Sequence, residues 1–178
     1  MRYENEPNGE KGYLNALGYA DWSIGQFIAE ARNMPWFDNT VFIFTADHVN
    51  RLQQGEGTQR FHTPMLIYSP KWVSAGESDV IGSQLDVMPT ILDLLGIDGE
   101  FAALGESLLR KPNGGQAFVS YGGQHIALIT PDGFLRHDLQ RVLENHGFNE
   151  QMRPLVERRL LALDQISYEL LHTNRWAR

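Results

Sequence analysis

The sequence predicts an α/β fold: a mostly parallel sheet flanked by helices, then a small antiparallel meander and a terminal helix. Three observations carry that expectation. Leu17, Ala20, Ile24, Phe27, Ile28 and Ala31 recur at three- and four-residue steps, the stripe of an amphipathic helix between residues 13 and 34. Two short apolar runs, residues 40–46 and 64–68, lack polar alternation, as expected of strands covered on both faces. Beyond residue 117, β-rich runs alternate with glycine- and proline-containing turns, the pattern of an antiparallel meander.

Taken in order, Pro35 stops the first helix because it cannot donate to the helical ladder, and Asp38-Asn39 marks the turn into the first strand. The polar stretch 50–60, with Gly55 and Gly57, reads as a loop, and Ser69-Pro70 closes the second strand. Residues 83–96 read as a helix with two candidate caps, Ser83 and Asp86. Capping at Ser83 would bury Pro89 in the helix interior at a cost of ~3 kcal/mol, whereas capping at Asp86 leaves it in the first turn, where a missing N–H loses nothing. Asp86 is therefore the expected cap, with Gly96 as the stop. Residues 117–121 and 126–130 flank Gly122-Gly123, and Pro131-Asp132-Gly133 turns into Phe134-Leu135. Leu155, Leu160, Leu163, Ile166, Leu170 and Leu171 mark the last amphipathic helix. No repeat or linker interrupts residues 1–178, which read as one unit: an α/β part over 13–110, then antiparallel strands and a C-terminal helix over 111–178.

Composition narrows the function classes. A chain 42% hydrophobic and 21% charged has the balance of a soluble globular domain. Its 22 acidic against 15 basic residues, net charge -7, offer no basic footprint for nucleic acid. With no cysteine, thiolate metal sites and cysteine nucleophiles are excluded from these residues. No apolar run approaches the ~18–20 residues that cross a bilayer, and the polar start is unlike a signal peptide. A start this polar, running straight into a strong helix, is also what a longer reading frame gives when cut at an internal methionine.

The chemistry concentrates in Thr45-Ala46-Asp47-His48, where a buried strand runs out into a loop. In open α/β sheets the ligand crevice lies outside the carboxyl ends of the strands, and a carboxylate with an imidazole suits a divalent ion. Such a pair also occurs as a simple cap or turn, so its company matters. Tyr19-x-Asp21-x-x-Ile24-Gly25-x-Phe27-Ile28 precedes Asn39-Thr40-x-Phe42-x-Phe44-Thr45-Ala46-Asp47-His48. Pro64-x-Leu66-Ile67-Tyr68-Ser69-Pro70 and Ser83-Gln84-x-Asp86-x-x-Pro89-Thr90-Ile91-Leu92-x-Leu94-Leu95-Gly96 follow. This order resembles the C-terminal part of the sulfatase domain of the alkaline-phosphatase superfamily, closest to its phosphoglycerol-transferase and lipoteichoic-acid-synthase-like branch, over roughly residues 13–110.

The resemblance implies metal ligation by Asp47 and His48, with manganese or magnesium typical of the branch and zinc or calcium in relatives. It also implies contacts to an anionic ester from His62 and Arg60. The expected activity is transfer or hydrolysis of a phosphoglycerol or other phosphodiester, with sulfate-ester hydrolysis as the alternative, and a non-catalytic remnant or binding module as the competing class. The family's nucleophile and a further acidic ligand lie upstream of the segment matched here, so the nucleophile is expected before Met1. Relatives of the branch are anchored by N-terminal membrane helices with the catalytic domain outside the cytoplasmic membrane; that location is implied for the whole protein, the present chain reading as soluble. One departure stands out: Val49 follows the Asp-His pair where the family commonly has glycine. Asp21, Asp86, His125 and His137 read as structural, and Trp22, Trp36, Trp72 and Trp176 as core or rim.

Overall fold

The computed structural model describes residues 10–49, 57–99, 101, 103–111, 114–121 and 124–175. The loop expectation over 50–56, Gly122-Gly123 and Trp176 lie outside them. Contacts divide the chain into two compact units, Met1–Gly76 and Glu77–Arg178.

In the first unit, helix α1 (Glu10–Ala31) is followed by a 3-10 turn (Phe37–Asn39) and two strands, β1 (Phe42–Thr45) and β2 (Met65–Tyr68). The helix ends before Pro35: the Met34 N–H already bonds the Ala31 carbonyl at 2.9 Å, a tightened last turn. Its final turns supply Ile28 and Ala31 to a cluster with Phe37, Phe42, Phe44 and Tyr68. Further back, Leu17, Tyr19, Trp22, Ile24 and Phe27 are exposed, so only one end of the apolar stripe is covered within this unit. Ser69, buried just after β2, donates its hydroxyl to the Thr40 carbonyl at 2.8 Å and fixes where β2 stops beside the entry to β1.

The strands correct the parallel-sheet expectation. β1 and β2 pair antiparallel, Phe42 opposite Tyr68 and Thr45 opposite Met65. An unbroken apolar run reports burial on both faces and carries no information on strand direction. The described part of the connection holds only a 3-10 turn (Gly57–Phe61), not the crossover helix that a parallel pair needs.

The second unit opens with a 3-10 turn (Gln84–Asp86) that runs directly into α2 (Val87–Leu94), with Pro89 in the first turn as the proline argument required. Asp86 holds the N-cap position of α2, as expected, but its carboxylate makes no capping bond to the helix, which corrects the side-chain part of that expectation. Asp86 has helical backbone angles, φ -85° and ψ -13°, and its side chain turns back to Ser83. Both candidate caps are thus used, Ser83 opening the 3-10 turn and Asp86 handing over to the α-helix. Gly96, at φ 63°, ends α2 in the left-handed conformation that glycine adopts without cost.

The meander has four antiparallel strands in sequence order: β3 (Ala117–Tyr121), β4 (His125–Thr130), β5 (Gly133–His137) and β6 (Val142–His146). β6 escaped the sequence reading because Val-Leu-Glu-Asn-His has too little apolar content to mark a strand. Helix α3 (Arg153–His172) lays Leu160, with Val156, Leu161 and Leu163, against Phe118, Ile126, Leu128, Leu135 and Phe148. The meander is one half-buried face covered by one helix, the arrangement antiparallel sheets favour.

Candidate functional site

The site is set by the end of the β1–β2 ladder. Thr45 stands opposite Met65, and its hydroxyl donates to the Pro64 carbonyl at 3.0 Å, tying the chain that leaves β1 to the chain that enters β2. Asp47 and His48 follow immediately beyond that tie; Arg60 and His62 come just before β2. The antiparallel register therefore delivers all four residues to the same end of the sheet, the carboxyl end of β1.

Direct contact is shown for Asp47 and His48. The His48 backbone N–H donates to Asp47 Oδ1 at 2.9 Å, and His48 Nδ1 lies 2.8 Å from the Val49 carbonyl. A carbonyl can only accept, so in the neutral ring Nδ1 carries the proton and Nε2 presents its lone pair. That nitrogen lies 3.7 Å from Asp47 Oδ1, and the two side chains are 57% and 89% exposed. Their donor chemistry, one carboxylate and one imidazole with its other nitrogen held by a carbonyl, suits a divalent metal. A gap of 3.7 Å is one that a single ion with bonds of ~2.0–2.2 Å can bridge. Two protein ligands are fewer than the three or four usual for zinc. Among the described residues no group of three or more His, Asp or Glu side chains stands together to hold an ion.

The absence of glycine after the pair is accommodated locally. Val49 is not among the residues with positive φ, so the chain leaves His48 by a path a β-branched residue tolerates. His62 is exposed, its N–H bonded to the Gln59 carbonyl at 3.3 Å, and Arg60 is half-buried within the 3-10 turn. Asp21 is exposed on α1, and Trp22, Trp36 and Trp72 are largely exposed, at the rim rather than in the core.

A second polar centre lies wholly in the other unit and is structural. Asp86 accepts from Ser83 N–H at 2.6 Å, Glu106 N–H at 2.8 Å and Lys111 Nζ at 2.8 Å. Lys111 also donates to the Gln116 carbonyl at 2.8 Å. Thr90 extends the same centre, donating to the Asp86 carbonyl at 2.6 Å and accepting Leu108 N–H at 3.0 Å. The pocket beside the pair, lined by Ser83, Asp86, Gly105, Lys111 and Phe118, has a volume of ≈ 20 Å³. That is the size of a water site, not an ester site. Sequence reasoning missed Lys111, because a lone lysine beside a proline gives no periodic or motif signal of burial. On the meander, burial alone would lower the Arg136 pKa. Hydrogen bonds and charge interactions with Tyr121 and Glu144 more than offset this and leave it raised.

Comparisons with known proteins bear on the family and the fold. The family model described as Sulfatase matches residues 8–97. The chain is similar to a sulfatase from Formosa agariphila, 25% identical over 138 residues, covering 70% of this chain and 27% of that protein. It is also similar to lipoteichoic acid synthase 1 from Bacillus subtilis, 28% identical over 120 residues, covering 58% of this chain and 19% of that protein. The chain thus spans about a quarter or less of the length of these curated relatives. A solved structure of a protein in the alkaline phosphatase superfamily from Vibrio parahaemolyticus superposes with a TM-score of 0.77 at 21% identity. That match covers 100% of this chain and 46% of the solved one, and the likeness is one of fold.

Proposed function

The chain belongs to the sulfatase family, and on that premise we propose that it supplies part of a metal-dependent centre acting on anionic esters, with Asp47 and His48 as two of the ligands. The observation that carries this reading is the exposed Asp47–His48 pair at the carboxyl end of β1, its imidazole oriented by the Val49 carbonyl. A divalent ion held there would polarise a phosphoryl or sulfuryl oxygen and lower the pKa of a coordinated hydroxyl. His62 and Arg60, delivered to the same sheet end, are suited to contact the ester's negative charge. Asp47 contributes a carboxylate oxygen, and Val49 keeps the His48 ring in the tautomer whose Nε2 can bind.

The leading substrate class is a phosphodiester, with transfer of a phosphoglycerol group, in keeping with the residue pattern and the similarity to a lipoteichoic acid synthase. Sulfate-ester hydrolysis is the second reading, favoured by the family match and the similarity to a sulfatase. A membrane location for the whole protein goes with the first reading; among the described residues no helix is long and apolar enough to cross a membrane.

The test is made on the protein as its gene encodes it, with bis(p-nitrophenyl) phosphate and p-nitrophenyl sulfate as probes. Turnover of the phosphodiester, lost on chelation and restored by manganese or magnesium, supports the first reading; preference for the sulfate supports the second. Unchanged turnover and metal content in Asp47→Ala and His48→Ala would remove both residues from the centre and favour a binding role.

A further inference from the structure

His137 closes β5 at the one irregularity in the β5–β6 ladder, a register shift between Arg136 and His137. Its side chain is 2% exposed and bridges two elements. Nδ1 accepts the backbone N–H of Leu139 at 2.9 Å, and Nε2 faces Glu157 Oε1 on α3 at 3.2 Å. An N–H can only donate, so the Leu139 bond requires a lone pair on Nδ1; the neutral ring then carries its proton on Nε2, directed at Glu157. Leu139 itself has φ 71°, a left-handed conformation uncommon for a bulky non-glycine residue, and the bond to the ring holds it there.

The geometry points to His137 as a proton-operated fastener: the neutral ring holds both the turn after β5 and helix α3, and the charged ring releases the turn while keeping the helix. When Nδ1 takes a proton from solvent it becomes a donor facing the Leu139 N–H, also a donor, and that bond is lost. The Nε2–H contact to Glu157 at the same time becomes charge-assisted. The two bonds therefore respond to one proton in opposite senses. The charged groups facing the ring are Glu157 from α3 and Asp138, with its partner Arg141, from the turn. Across the ladder, β4 presents Ile126 and β6 presents Val142, neither of which titrates. Asp138 Oδ1 separately holds the Gln140 and Arg141 N–H groups at 2.9 Å and 2.8 Å, so release is confined to the Leu139 limb of the turn.

The experiment is an NMR titration of the full chain from pH ~8 to ~5, the range in which imidazoles change charge. It follows the His137 ring nitrogens together with amide hydrogen exchange at Leu139, Gln140 and Arg141. The expected result is an Nε2–H tautomer at the alkaline end. Protection at Leu139, corrected for intrinsic exchange, should fall in step with uptake of the proton by the ring and level off once the ring is charged, while Gln140 and Arg141 keep theirs. Glu157→Gln should leave the Leu139 response in place, because the turn bond is made by the other nitrogen. His137→Asn, whose side-chain oxygen can accept from the residue two positions on, should hold Leu139 without a pH response. An Nδ1–H tautomer at high pH, a ring still neutral at the acid end, or Leu139 protection indifferent to ring charge overturns the proposal.

Discussion

Lys111 Nζ lies 2.8 Å from Asp86 Oδ2, and both side chains are only 3% exposed. The ammonium satisfies its other hydrogens on the carbonyls of Ile81 and Gln116, while the carboxylate gathers the backbone of Ser83 and Glu106. The stretch from Ile81 to Asp86 thus meets the one that carries Glu106, Lys111 and Gln116 on one ion pair. Gly105 belongs to the same joint, for a Cβ there would overlap the Leu85 carbonyl. Lys111→Met keeps the volume of the stem but leaves the buried carboxylate without its cation. A loss of ~3–5 kcal/mol is expected, measured by urea denaturation. Asp86→Asn with Lys111→Met should cost less than Lys111→Met alone, because no uncompensated charge remains.

Asp47 and His48 should behave in the opposite way. Both are more than half exposed, and neither anchors the ladder, whose end is tied by Thr45 and Pro64. Asp47→Asn and His48→Gln are each expected to change stability by less than ~0.5 kcal/mol. Turnover should fall by more than the ~10–100-fold typical of outer-shell partners of a metal site. Thermal melts and an ester assay on the same preparations check both halves. A variant that loses activity only because it melts earlier would count against a metal role.

These two centres show what the sequence makes legible. The strand-end position of Asp47-His48 could be read because an apolar run and its end are local features, and so could the terminal helix, with its regular leucine spacing. The direction of the β1–β2 pair could not, since Phe42-Ile43-Phe44 is equally apolar in either arrangement. The role of Asp86 was half legible: Pro89 placed the start of α2, but the carboxylate's true partners, Glu106 and Lys111, are 20 and 25 residues away and leave no local trace. His137 was likewise readable as structural, whereas its bond to Glu157 depends on how α3 crosses the meander.

The turn after β5 gives the acid limb of stability a specific contributor. Asp138 accepts the N–H groups of Arg141 and Gln140, and these bonds, more than the charges of Arg141 and His137, hold its carboxyl below the ordinary value of 3.8. A carboxyl depressed in the folded state contributes stability that is fully present above its unfolded pKa and lost as pH falls through the folded one. Denaturant midpoints taken from about pH 5 down to about pH 2 should therefore decline, and the decline should be shallower in Asp138→Asn. An identical slope in the variant would mean the turn does not feel this carboxylate.

The cover of the meander by α3 rests on few side chains, which makes it easy to break. Leu160 is 0% exposed and faces Ile126, Leu128 and Leu135, whereas Leu171, on the same helix, is 67% exposed. Helical spacing treats the two leucines alike, because both lie on the apolar stripe, but α3 buries only the part of that stripe that crosses the sheet. Leu160→Ala removes a side chain from a closed cluster and leaves a cavity, for an expected loss of ~2–5 kcal/mol. Leu171→Ala removes one already in water and should stay within ~0.5 kcal/mol. Chemical denaturation of the two variants side by side is decisive: comparable losses would mean that Leu171 is covered in solution by something other than the sheet, and that α3 has a second packing face.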